Sequence, residues 1–175
     1  MMARFTEYFP PSGSLVPAGF GAFHGAFHSS VDQTTSANVA KAMEFEITDL
    51  SQGVTIENNN LGRKTRITTQ NLGVYNIAFS AQLHSVGGGG SGTTVQIWLS
   101  HNDVVVPDTN TKIAVNNNSP LVVAAWNFFV EADTVPQYFE IFWVTDNANT
   151  KLEHFDPAGG IPATPSTILT VNQVG

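Results

Sequence analysis

The stretch GFGAFHGAFHSS at residues 19–30 carries GAFH twice in succession, so His24 and His28 stand four residues apart. On a helix that spacing stacks both imidazoles on one face, where they could grip a metal. On a strand it does not, because at about 3.3 Å per residue the two rings lie ~13 Å apart. A period of four then splits into two faces. Gly21, Phe23, Gly25 and Phe27 point one way, and Ala22, His24, Ala26 and His28 the other. The phenylalanines fill a core and the glycines leave room for large neighbours or a bend. We read an aromatic first strand rather than a metal motif. Three copies of one histidine meeting on a symmetry axis would be needed to hold an ion, with an added carboxylate or water.

Other residues able to do chemistry are scattered. Glu44 and Glu46 alternate beside Lys41, a pattern expected of a solvated strand face. Asp103, Asp108, Asp146 and Asp156 fall in Asx-rich loops. Such loops could supply some of the six or more oxygens that Ca²⁺ takes, but without an EF-hand spacing they read as turns. No Gly-x-Ser-x-Gly elbow is present, and His84, His101 and His154 are isolated. GGGGSG at 87–92 lacks the lysine and following helix of a phosphate loop, and reads as a hairpin tip. Trp98, Trp126, Trp143, Tyr75 and Tyr138 could build a sugar platform, yet period two sets most of them inside strands. Trp98, Tyr138 and Phe142 fall opposite the aliphatic sets of their strands, which marks an apolar surface for a partner to cover. We expect a non-enzyme with no metal or cofactor.

Composition bounds the class. The chain has 175 residues, with 42% hydrophobic and only 12% charged. Fifteen Asn and 18 Thr supply polarity that suits strands and tight loops better than helices. A net charge of −7 with seven Lys plus Arg argues against nucleic acid and anionic membrane as partners. Cysteine is absent, which removes disulfides and thiolate chemistry. The N-terminal residues show no secretory h-region, and no run reaches the ~20 apolar residues of a membrane helix. A soluble product made in a cytoplasm is the expectation.

Alternation dominates from residue 20 onward. In VYNIAFSAQL, Tyr75, Ile77, Phe79, Ala81 and Leu83 share a face. Val95, Ile97 and Leu99 do so in TTVQIWLSH, Phe139, Ile141 and Trp143 in QYFEIFWVT, and Met43, Phe45 and Ile47 in MEFEIT. LVVAAWNFFVE and STILTVNQV are also strand-like, and VDQTTSANVAKAM has room for one helical turn at most. NNNLG, HND, PDTN, NNNSP and PAGG punctuate the runs. About ten short antiparallel strands imply an all-β sandwich or barrel. Residues 1–19 hold three prolines with Phe5, Tyr8 and Phe9, which suggests an extended arm that docks on something.

The order of these pieces resembles the jelly roll of the complement globular-head and tumour-necrosis-factor-like modules. The resemblance runs from an Ala-Phe first strand (FGAFHGAF) through a Gly-x-Tyr strand (Gly73, Tyr75). It continues through a strand with a polar hairpin (TTVQIWLSHNDVVV) and a late aromatic strand (EADTVPQYFEIFW) to a closing strand (STILTVNQV). The family's collagen-like stalk is absent, and Glu-Ala-Asp-Thr-Val-Pro stands where the family has Gly-Asp. The wording of LGVYNIAFSAQ, IWLSHNDVVVPDTNTKI, VVAAWNFFV and STILTVNQV is similar to small virion proteins of tailed bacteriophages. This implies a jelly-roll β-sandwich over 20–175, preceded by the arm at 1–19. It further implies a homotrimer on the virion surface that cements the capsid, its arm (Phe5, Tyr8, Phe9) binding the major capsid protein or another virion protein. The alternative is the receptor-binding tip of a tail or head fibre that recognises host glycan. GFGAFHGAF, LVVAAWNFFV and QYFEIFWV are apolar on both faces, whereas a lone sandwich needs one apolar face per sheet. Phe23, Phe27, Trp98, Tyr138 and Phe142 are therefore the expected trimer-interface residues.

Overall fold

A computed structural model describes residues 23–85, 92–116 and 121–175. The expected arm, with Phe5, Tyr8 and Phe9, lies outside the described residues. The strands are β1 (His24–Ser29), β2 (Gln33–Thr34), β3 (Lys41–Ala42), β4 (Ile47–Gln52), β5 (Val54–Asn58), β6 (Lys64–Thr69) and β7 (Gly73–Ser85). They continue as β8 (Thr93–His101), β9 (Val104–Val105), β10 (Thr111–Val115), β11 (Leu121–Ala132), β12 (Gln137–Thr145), β13 (Thr150–Leu152) and β14 (Thr167–Gln173). No helix forms among the described residues. The fourteen strands among the described residues exceed the expected ten partly because β2, β3 and β9 are two-residue pairings inside what reads as loop.

Two seven-stranded sheets stack face to face. The first runs β2-β13-β7-β14-β1-β4, with β11 paired along β7 from Leu121↔His84 to Ala132↔Gly73. The second runs β10-β8-β12-β6-β5, with β3 on β12 and β9 on β8. Alternation decides what lies between them. Tyr75, Ile77, Phe79, Ala81 and Leu83 from β7 meet Val95, Ile97 and Leu99 from β8 and Phe139, Ile141 and Trp143 from β12, all buried. Tyr75 is fully enclosed, and its hydroxyl donates to the Asn71 carbonyl at 2.9 Å, so the polar tip is satisfied.

MEFEIT does not form one strand. Its N-terminal half hangs on the second sheet, where Met43 N–H donates to the Ile141 carbonyl (2.8 Å) and Phe45 N–H to that of Lys64 (2.8 Å). Its last residues enter β4 of the first sheet. Between Met43 and Phe45 the backbone of Glu44 pairs with the side chain of Gln33 instead of a neighbouring strand, and its carbonyl also accepts from Thr167 Oγ1 at 2.9 Å. Periodicity places Met43 and Phe45 inward either way, so the alternation could not reveal the break.

The chain changes sheet again at Gly53, between β4 and β5. Gly53 has φ +68°, and a Cβ there would lie 2.5 Å from the Phe23 ring, so glycine is required twice over. Gly25 has the role expected of it, since a Cβ would stand 2.3 Å from the Phe27 ring. Near the Gly73 end of β7, Gln173 N–H donates to the Phe23 carbonyl at 2.9 Å and Val74 N–H to that of Gly175 at 2.6 Å. The first and last described residues therefore lie together. Ser85 and Thr93, whose hydroxyls meet at 3.1 Å, mark the far end of β7.

Candidate functional site

Each sheet has an outward face, and the two differ in chemistry. On the first sheet, β11 is an edge strand whose outward residues are Leu121, Val123, Ala125, Asn127, Phe129 and Glu131. Leu121, Val123 and Phe129 are 48%, 57% and 68% exposed, and Ile168 of β14 is 44% exposed. Between them register sets small side chains: Ala125 lies opposite Ser80, which lies opposite Ile168, and Asn127 opposite Ala78, which lies opposite Thr170. Asn127 Nδ2 donates to Asn76 Oδ1 at 2.7 Å across this row. The result is a flat apolar face, low in the middle and edged by larger residues.

The outward face of the second sheet is aromatic and polar. Trp98 and Phe142 are cross-strand partners, with ring centroids 5.9 Å apart and planes 13° from parallel. Tyr138 lies under the Arg66 guanidinium, 4.2 Å from the ring centroid, and its hydroxyl donates to Asp103 Oδ2 at 2.7 Å. Burial pushes the Tyr138 phenol up, as do its bond to Asp103 and the charges of Asp103 and Glu140, against the opposing pull of Arg66. All three aromatics are half-buried on this outer side, as their sequence positions predict.

The remaining candidates sort plainly. Phe27 is 1% exposed between the sheets of its own chain, so it has no surface to give to a second copy. Phe23 is half-buried and packs beside Gly53 and against the core. Trp98, Tyr138 and Phe142 lie on the sheet opposite the flat apolar face, so the five candidates do not form one surface. Leu121, Val123, Phe129 and Ile168 were not singled out. For Leu121, Val123 and Phe129 the sequence signal is that LVVAAWNFFV is apolar on both faces; Ile168 has none beyond the strand-like STILTVNQV.

No three His, Asp or Glu side chains among the described residues are grouped to hold a metal. His28 Nδ1 faces Asp49 Oδ2 at 2.8 Å. Glu44 meets Lys41 at 2.9 Å, while Glu46 accepts the Ser30 N–H at 2.6 Å, so the two glutamates serve different partners. Asp103 and Asp108 have positive φ, and Asp146 Oδ1 accepts the Thr94 N–H at 2.9 Å, the turn work expected of Asx residues. His101 stacks on Phe139 and bonds Gln137 at 2.8 Å. His84 contacts Glu153, which with Asp32 brackets Lys151 at 2.7 Å on each side.

The two-sheet arrangement and strand order can be set beside solved structures. Murine APRIL at pH 5.0 aligns over 88% of this chain and 100% of its own, at 8% identity and a TM-score of 0.52. The globular domain of zebrafish complement 1qA aligns over 89% of this chain and 98% of its own, at 11% identity and a TM-score of 0.49. The fold is an all-β jelly-roll sandwich. No protein-family model matches the sequence. No curated protein sequence matches it either.

Proposed function

We propose that the chain is a non-enzymatic virion structural protein that decorates a capsid as a homotrimer, held together through the outward face of β7, β11 and β14. The observation that carries this reading is the exposed apolar row of Leu121, Val123, Phe129 and Ile168 around small residues. A sheet face of this kind is hidden in a stable protein, and each large side chain fully covered returns about 1.5–3 kcal/mol. Closed threefold symmetry covers the same face on every copy and suits a repeating lattice. The phage-like wording of the β7, β8, β11 and β14 segments supports the virion assignment. Residues 1–19, with Phe5, Tyr8 and Phe9, supply the anchor to the major capsid protein or another virion protein.

Light scattering at micromolar concentration tests the assembly. A trimer is expected for the natural chain and a folded monomer for Phe129→Glu, which sets a charge in the covered face. A monomeric natural chain overturns the reading. Deleting residues 2–19 is expected to leave the trimer intact and abolish binding to capsids lacking the protein; undiminished binding removes the anchor. Hundreds of copies per virion are expected for a decoration protein, and tens or fewer for a fibre tip that recognises host glycan.

A further inference from the structure

The described residues hold six Lys and Arg, and three of them, Lys41, Arg63 and Arg66, line one concavity of about 490 Å³ on the outer face of the second sheet. That volume lies in the range of small-molecule sites. One wall is the β5–β6 hairpin, and its shape is locked. Asn59 Oδ1 accepts the N–H groups of Leu61 (2.9 Å) and Arg63 (3.1 Å), and Gly62 takes φ +75°. Asn60 and Arg63 are thereby held over the cavity. Arg66 is held flat by the Tyr138 ring and by Asn60 Oδ1, which accepts from its Nη2 at 3.3 Å. Glu140 also lines the cavity, 3% exposed, with Thr65 Oγ1 donating to one carboxylate oxygen.

The charges around this cavity balance. Glu44 faces Lys41 at 2.9 Å and Arg63 at 3.9 Å, Asp103 faces Arg66 at 3.7 Å, and Glu140 adds a third carboxylate. An anion finds no surplus positive charge here. Interleaved donors and acceptors instead match groups that donate and accept at once, which is the chemistry of sugar hydroxyls. Phe142 lines the same cavity, and its partner Trp98 lines a second, largely apolar concavity of about 360 Å³. Beyond Trp98, Asn110 Nδ2 donates to Gln96 Oε1 at 2.8 Å. The parallel aromatic pair thus adjoins two hollows, one polar and one largely apolar, which together form a groove of the size of an oligosaccharide site.

We propose that this groove binds a neutral pyranose glycan, its C–H faces against Phe142 and Trp98 and its hydroxyls bonded by Asn60, Arg63, Asp103 and Glu140. The groove lies on the sheet opposite the proposed assembly face, so a trimer presents three of them, and avidity compensates for weak single sites. An acidic peptide or charged sugar fits less well because every cation already has a counter-charge.

The test is an array of neutral glycans with sialylated and uronic-acid glycans and a hexaglutamate peptide as contrasting arms. Saturation-transfer NMR and tryptophan fluorescence on the full chain follow for the strongest probes. A neutral glycan is expected to saturate the protein at or below about 1 mM, with binding at least about tenfold weaker in Phe142→Ala and in Asn60→Ala. Asn60 is on the exposed hairpin, so it decides the matter if Phe142→Ala does not fold. Phe129→Glu, on the other sheet, is expected to bind the same glycan at the single-site level, which separates this result from any failure of assembly. Retention of no neutral glycan, of the anionic or peptide probes alone, or unchanged binding in the groove variants overturns the proposal.

Discussion

The amide of Gln33, 1% exposed, occupies the place of a missing strand segment. Its Nε2 donates to the Glu44 carbonyl at 2.9 Å and its Oε1 accepts the Glu44 N–H at 2.8 Å. Replacing it with leucine keeps most of the volume, leaves the Glu44 N–H without its partner, and leaves the Glu44 carbonyl with the Thr167 hydroxyl at 2.9 Å. Gln33→Leu is expected to cost about 1–3 kcal/mol, read as a lower urea midpoint at unchanged m-value. None of this was visible in DQTT, which reads as loop or a single helical turn. A polar residue that substitutes for backbone carries no periodic signal. Trp98, Tyr138 and Phe142 were legible because period two alone puts them opposite their strands' aliphatic residues. Phe27 lies between the sheets, on the core-filling face that period two gives it together with Phe23 and Gly25.

At the scale of elements, the long strands were legible and the short ones were not. β7, β8, β11 and β12 have at least nine residues each, enough for alternation to emerge, whereas β2, β3 and β9 have two. The short strands are held by tertiary contacts instead. β2 and β13 share only the pairs Lys151↔Thr34 and Leu152↔Gln33, and ions brace them. Burial works to raise the Asp32 carboxyl. The bonds from Lys151 Nζ and the His154 backbone N–H, with the Lys151 charge, outweigh it and hold the group below its ordinary 3.8. Bonds to Asp32 and Glu153 hold Lys151 above its ordinary 10.5. Asp32 therefore contributes stability above its unfolded-state pKa, and this is lost as pH falls through the lower folded value. Lys151 contributes below its own unfolded pKa and loses this as pH rises through the higher folded one. Asp32→Asn is expected to lower neutral-pH stability by under about 1 kcal/mol, since the pair is partly exposed, and to flatten the decline below about pH 4. Denaturant titrations across pH measure both; an unchanged acid limb contradicts the assignment.

Taken as a whole molecule, the sandwich separates its surfaces: a flat apolar face on one side and an aromatic, hydrogen-bonding groove on the other. The two-layer class was readable because strand length, turn residues and alternation all agree on it. The partition of roles between the layers was not, because sheet order depends on pairings between residues far apart in sequence. One consequence of the pairing concerns use of the protein as a carrier. Phe23 and Gln173 lie together at one end of β7, and Ser85 and Thr93 together at the other, about 40 Å away along the strand's thirteen residues. On the proposed capsid reading, a peptide cargo genetically inserted between Ser85 and Thr93 is expected to point away from Phe23 and to stay open to antibody on particles. The same cargo fused after Gly175 emerges on the side of Phe23 and, if the proposed anchor holds, is expected to compete with particle binding. Particle occupancy of the two fusions, measured side by side, gives the polarity of the display.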